Sequence, residues 1–180
     1  MLTYPLYLCC FVLLVSTFQV KGGEEHKLKL RSLQKIKEDS EDFQSSVQLS
    51  EPDAEGHVTI SGDLKQHVTL DNEWKVNLTV YRTDSLDEEY VKFKELPLMG
   101  TCQLMSSYYK NFFYEKLKDY SNAPHPDNCP LSPQDYYLKD YPLDSSKFKK
   151  FLTPGYYRVT IKMLKENEVK LEYVADLLEE

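Results

Sequence analysis

Residues 156–164 read Tyr156-Tyr157-Arg158-Val159-Thr160-Ile161-Lys162-Met163-Leu164, and this stretch decides the fold. Tyr157, Val159, Ile161 and Met163 alternate with Tyr156, Arg158, Thr160 and Lys162, the period of two that gives a strand one covered face. Outward from it, Pro154-Gly155 is a turn that launches the strand, and Asn167 marks a hairpin into a closing strand over Val169–Leu177. Trp74–Arg82 repeats the pattern, with Val76, Leu78 and Val80 set against Lys75, Asn77 and Thr79. Asp135–Tyr141 and Glu89–Phe93 read as further strands, and Gly56–Leu70 as two short strands or one bulged strand around Gly62-Asp63. His26–Leu33 suits an edge or opening strand. Glu38–Glu55 is polar and acidic and reads as loop with one short strand at Val47–Leu49, so that residues 23–55 are expected to be partly irregular.

Between these blocks the period changes. In Gly100–Tyr120, Met105, Tyr109, Phe112, Phe113, Leu117 and Tyr120 recur at three- and four-residue steps, which predicts a helix over about residues 101–120. Thr101 is its expected cap, Lys116 and Lys118 suit its negative end, and the proline-containing segment after Tyr120 cannot continue it. The fold class is therefore mainly β, an antiparallel sandwich or cup with one α-helix.

Composition bounds the function. The chain has 180 residues, with 22 Lys and Arg against 29 Asp and Glu, and a formal charge of -7. That balance removes the electrostatic term that dominates nucleic-acid binding and disfavours anionic membrane surfaces. Fourteen Tyr, eight Phe and one Trp supply enough aromatic bulk for a core. Residues 1–22 read as a signal peptide. No charged side chain precedes Lys21, Leu6–Val20 is a near-continuous apolar run, and Val20 and Gly22 place small residues for cleavage after Gly22. A retained signal anchor is the competing reading, but the run is shorter than the ~20 residues that span a bilayer. The expectation is an extracellular, secreted protein whose residues 23–180 form one domain with no membrane span.

Cys9 and Cys10 leave with the signal, so Cys102 and Cys129 form an even pair in an oxidising compartment and are expected to be bonded; two buried free thiols are the alternative. Such a bridge would stabilise the fold by about 3.5 kcal/mol in the chain-entropy model. Asn77-Leu78-Thr79 is a glycosylation triplet on the polar face of its strand, which makes Asn77 the expected attachment site. Catalysis finds little material. His26, His57, His67 and His125 lack metal-ligand spacing, and six glycines leave little for a phosphate loop. Asp87-Glu88-Glu89 and Glu179-Glu180 read as solvated surface, and a bridged Cys129 is no nucleophile for His125. No enzyme, cofactor or metal is expected.

Cys102 opening an aromatic helix, Cys129-Pro130, the strand Tyr136-Tyr137-Leu138-Lys139, and the turn-strand Pro154-Gly155-Tyr156-Tyr157-Arg158-Val159 come in a familiar order. Over roughly Trp74 to Tyr173 the chain resembles secreted insect chemosensory-type domains of the ML lipid-recognition, ganglioside-activator-like group. One available disulfide, where the ganglioside activator has several, departs from that pattern. The resemblance implies a β-sandwich whose sheets splay and admit an apolar molecule. It further implies a carrier or presenter of a lipid or cuticular hydrocarbon in gustatory or pheromone detection, with a sensory receptor as a partner. Candidate residues facing such an interior are Trp74, Tyr109, Phe112, Phe113, Tyr137, Phe148, Phe151, Val159, Ile161 and Met163, for each of which the ordinary reading is plain core. The other reading is an extracellular interaction module with a filled core and no ligand.

Overall fold

The computed structural model describes residues 28–54, 58–142 and 152–179. The signal segment, Phe148 and Phe151 lie outside the described residues. Among the described residues, nine strands form two antiparallel sheets. The larger contains β1 (Leu28–Glu38), β9 (Glu168–Glu179), β8 (Gly155–Lys165), β4 (Lys75–Thr83) and β5 (Val91–Glu95) in that order, with the two-residue β6 (Met99–Gly100) also paired to β4. The smaller runs β2 (Phe43–Leu49), β3 (Thr59–Gln66), β7 (Gln134–Pro142). The antiparallel sandwich with one helix is thus as the alternation implies.

Along β8 the pairing registers keep the alternation, but burial does not follow it throughout, since Thr160 is buried and Ile161 is exposed. Tyr157 is buried, and Val76 pairs with Met163 and Leu78 with Ile161 across β4 and β8. The β8–β9 connection is a two-residue hairpin in which Glu166 and Asn167 both take positive φ (51° and 66°), matching the right-handed twist of the strands it joins. Of the span read as two short strands or one bulged strand, residues 59–66 form one strand, β3, with a register shift against β7 between Ile60 and Gly62. There Asp140 takes a φ of 51° and its N–H donates to Ser61 Oγ at 2.9 Å. Gly62 is required at this bend, because a Cβ would lie 2.2 Å from the Ser46 carbonyl oxygen of β2.

One segment departs from expectation. Residues 43–49 form a full seven-residue strand, not a loop with a short strand at Val47–Leu49. Phe43, Ser45, Val47 and Leu49 share its inner face, and Ser45 breaks the apolar alternation there because its hydroxyl is satisfied inside the fold.

The helix, α1, spans residues 101–117 and starts where β6 ends. Thr101 is its first residue rather than its cap. Its N–H and its hydroxyl both donate to Trp74 O, at 2.9 and 3.1 Å. The free N–H groups of the first turn are met instead by Asn72 Oδ1, which accepts from Gln103 N at 3.2 Å, while Gln103 Oε1 accepts from Gly100 N at 3.1 Å. Gly100 is needed because a Cβ there would sit 2.4 Å from Asn72 Oδ1. From Met105 to Phe113 the helix is wound with i→i+5 bonds, as in Tyr114 N–H to Tyr109 O. The core plug lies beside it: Phe43, Leu70, Trp74 and Leu171 are buried together, and the Phe43 and Trp74 rings meet edge to face at 5.5 Å.

Candidate functional site

Past that plug the two sheets do not close on each other. Between them lies a hollow of about 470 Å³, open to solvent and with an almost wholly apolar surface. The large sheet contributes Val76, Ile161, Met163, Leu171 and Tyr173, and the small sheet Ser45, Val47, Ile60, Leu64, Gln66, Tyr136 and Leu138. Helix α1 forms a side wall through Leu104, Tyr109 and Leu117, continued by Ala123, Pro124 and Leu131 of the segment after it. The registers orient the chamber. Phe43 pairs with Gln66 next to the core plug, then Ser45 with Leu64, Val47 with Gly62 and Leu49 with Ile60. The plug closes one end; toward the other, Val47 is 38% and Ile161 43% exposed, although both lie on inward faces.

Two devices hold the side wall. Cys102 and Cys129 are bonded, 27 residues apart, tying the first turn of α1 to the loop that leads into β7. Tyr109 reaches across the same gap and donates its hydroxyl proton to Pro124 O at 2.8 Å. Burial, with smaller effects of Tyr114 and Tyr136, pushes the Tyr109 phenol up to about 12. Burial also raises the Tyr136 phenol. These hydroxyls are neutral at any physiological pH.

The opposite seam, where β1 meets β2, is polar. Glu38 accepts from Ser45 N at 2.8 Å and from Ser45 Oγ, and Lys35 Nζ donates to Glu38 Oε1 at 2.9 Å and to Ser45 O at 2.7 Å. Burial pushes the Glu38 carboxyl up, but the hydrogen bonds from Ser45 and Lys35 outweigh it and hold the group below the usual carboxylate range. Tyr173 OH lies 2.5 Å from Ser45 Oγ.

Of the residues singled out in the sequence, Tyr109, Tyr137, Ile161 and Met163 border the hollow. Tyr137 does so while 52% exposed. Trp74 stands behind the closed end as part of the plug, and Val159 lies on the same inner face of β8 beyond the chamber's lining. Phe112 and Phe113 are 41% and 39% exposed. The reason is the winding of α1: i→i+5 bonds turn the helix less per residue than the three- and four-residue spacing assumes, so the wall runs Leu104, Tyr109, Leu117 and these two phenylalanines rotate outward. Ser45, Gln66, Leu104 and Leu138 went unrecognised as wall residues. Only Leu138, two positions along β7 from Tyr136, carried an alternation that pointed to it.

Asn77 lies on the outer face of β4, where its side chain donates to Glu95 Oε1 at 3.1 Å and its Oδ1 accepts from the Thr79 hydroxyl at 3.2 Å. Among the described residues no helix is long and apolar enough to cross a membrane, and no three His, Cys, Asp or Glu side chains gather as metal ligands.

A family model described as "Protein of unknown function (DUF1091)" matches residues 76–159, from β4 through α1 and the disulfide loop to the middle of β8. This stretch, just under half of the chain, holds the helical wall, the bridge and one strand from each sheet that face each other across the hollow. Comparison with curated proteins finds no match.

Proposed function

We propose that the chain is a secreted, non-enzymatic binding protein that carries or presents a small hydrophobic molecule. The observation that carries this reading is the open chamber of about 470 Å³ between the sheets, inside the range of about 300–1,000 Å³ typical of small-molecule sites. Its walls are apolar and its polar groups few, so binding draws on burial of hydrocarbon. A chain of some twelve to sixteen methylenes at about 0.8 kcal/mol each gains about 10 kcal/mol gross, enough for useful affinity once ordering costs are met. The disulfide supports an oxidising, extracellular setting. The resemblance to ML-type insect chemosensory domains supports a lipid or cuticular hydrocarbon as the molecule and taste or pheromone detection as the setting. A sensory receptor is the partner in that role.

The test is organic extraction of the purified, disulfide-intact protein followed by mass spectrometry, with displacement of a fluorescent fatty probe alongside. Co-purifying lipid or saturable probe uptake is expected; neither would remove the reading and leave a packed interaction module. Export carries glycan at Asn77 in the same proposal, and a glycosidase-sensitive gel shift of the protein from secreting eukaryotic cells checks it.

A further inference from the structure

Three of the chamber's polar side chains, Gln66, Tyr173 and Tyr109, have their protons committed to protein acceptors. Gln66 lines the closed end and is only 3% exposed. Its Nε2 is directed at three backbone carbonyls, Val68 O at 2.8 Å and Leu131 O and Ser132 O each at 3.1 Å. That fixes the amide orientation and turns Oε1 the other way, where it has no partner among the described residues. Oε1 keeps accessible surface and is an acceptor without a protein donor among the described residues.

One row along the same inner face, the Glu38–Ser45–Tyr173 chain leads to the same result independently. Glu38 is ionised, so Ser45 spends its one hydroxyl proton on the carboxylate. Tyr173 must then donate to Ser45 Oγ, and the Tyr173 oxygen is left able only to accept. Tyr109 has likewise given its proton to Pro124 O. Tyr136, whose hydroxyl makes no bond among the described residues, can serve either way and does not discriminate.

We propose that the chamber selects hydrocarbon chains ending in a hydroxyl, long-chain alcohols as a class, with the ligand O–H donating to Gln66 Oε1 at the closed end. This rests on the carrier reading and narrows it. An alkane, ether or ester offers no proton to the waiting acceptors, and an ionised fatty carboxylate, which only accepts, offers none either. Leaving a buried acceptor unpaired weakens binding by about tenfold or more.

The experiment compares dodecanol, dodecyl methyl ether, dodecane and dodecanoate as displacers of a fluorescent fatty probe from the disulfide-intact protein. Dodecanol is expected to bind at least about tenfold tighter than the ether, which has the same chain and oxygen but no proton to give. Tyr173→Phe, which removes one acceptor and keeps the ring, is expected to narrow that ratio, and Gln66→Met to abolish it where the variant folds. Equal affinity for alcohol and ether in the unmodified protein, or preference for dodecane or dodecanoate, overturns the inference while leaving the carrier intact. Failure of all four, together with no probe uptake, overturns both.

Discussion

Placing a larger ring inside the chamber separates a hollow protein from a filled one by the sign of a single number. Val76 sits on the inner face of β4, opposite Met163 and Met99 in register, and borders the hollow. Val76→Phe adds roughly four carbon atoms. At about 0.8 kcal/mol per buried methylene the gross gain is about 3 kcal/mol. Residual exposure through the open mouth and the fixing of the ring reduce this to about 1–2 kcal/mol net. In a filled core the same change would overpack the sheets and cost about 1–3 kcal/mol. Ligand binding moves the other way. A ring that displaces about three methylenes of a bound chain weakens it by about 2–3 kcal/mol, roughly 30- to 150-fold. The assays are urea unfolding of the disulfide-intact protein and titration with the fluorescent fatty probe. A variant destabilised by 1 kcal/mol or more that still takes up probe like the parent would refute the reasoning, because the space would then be neither free nor used.

Three further outcomes follow from the frame around the chamber. Replacing Cys102 and Cys129 together by Ser releases a 27-residue separation and is expected to lower unfolding free energy by about 3.5 kcal/mol in denaturant titrations; a loss under 1 kcal/mol would mean that the bridge constrains little. Gly62→Ala drives a Cβ against the Ser46 carbonyl and should destabilise by about 1–3 kcal/mol, whereas Ser46→Ala on the same pair of strands should be near neutral by thermal unfolding. Hydrogen bonding to Arg158 outweighs burial and, with Ser32, holds the Asp176 carboxyl below its ordinary value. A carboxylate lowered on folding contributes stability that is complete above the unfolded pKa of about 3.9 and is lost as pH falls through the lower folded value. Asp176→Asn should therefore flatten the stability–pH curve below about pH 4, and an unchanged acid limb in pH-jump unfolding would contradict that.

The elements whose side chains alternate cleanly were legible from sequence: β4, β8 and the hairpin through Asn167, along with the start of the helix and the cysteine bridge. What could not be read has local causes. β2 hides because Ser45, which stands where an apolar residue would complete the pattern, is satisfied by Glu38 and Tyr173, which come from other strands. The helical wall was misjudged at Phe112 and Phe113 because periodicity assumes α winding, and the i→i+5 stretch changes which side chains share a face. Gln66 carries no sequence signal at all. Its meaning depends on one nearby carbonyl, Val68 O, and two from a single distant segment, Leu131 O and Ser132 O, converging on one amide. A search for aromatic lining therefore finds part of the wall and misses the polar floor.

An open apolar chamber also has to resist collapse, since its facing walls would gain by meeting. Here the spacing is set by contacts along the chamber's edges rather than across its apolar walls. At one side Lys35, Glu38 and Ser45 lock β1 to β2 through charged hydrogen bonds whose geometry would be lost if the sheets slid together. At the other, Thr101 is bonded twice to Trp74 O, and Cys102 fastens the helix to the loop before β7. At the end the Phe43–Trp74 pair acts as a spacer between the sheets. The hollow is thus a consequence of a rigid perimeter, and capacity for ligand should be more sensitive to changes in that perimeter than to conservative changes in the wall. Lys35→Ala, which does not itself line the chamber, is accordingly expected to weaken fatty-probe binding more than Met163→Leu, which does, and the reverse order in probe titrations would place the control in the wall instead.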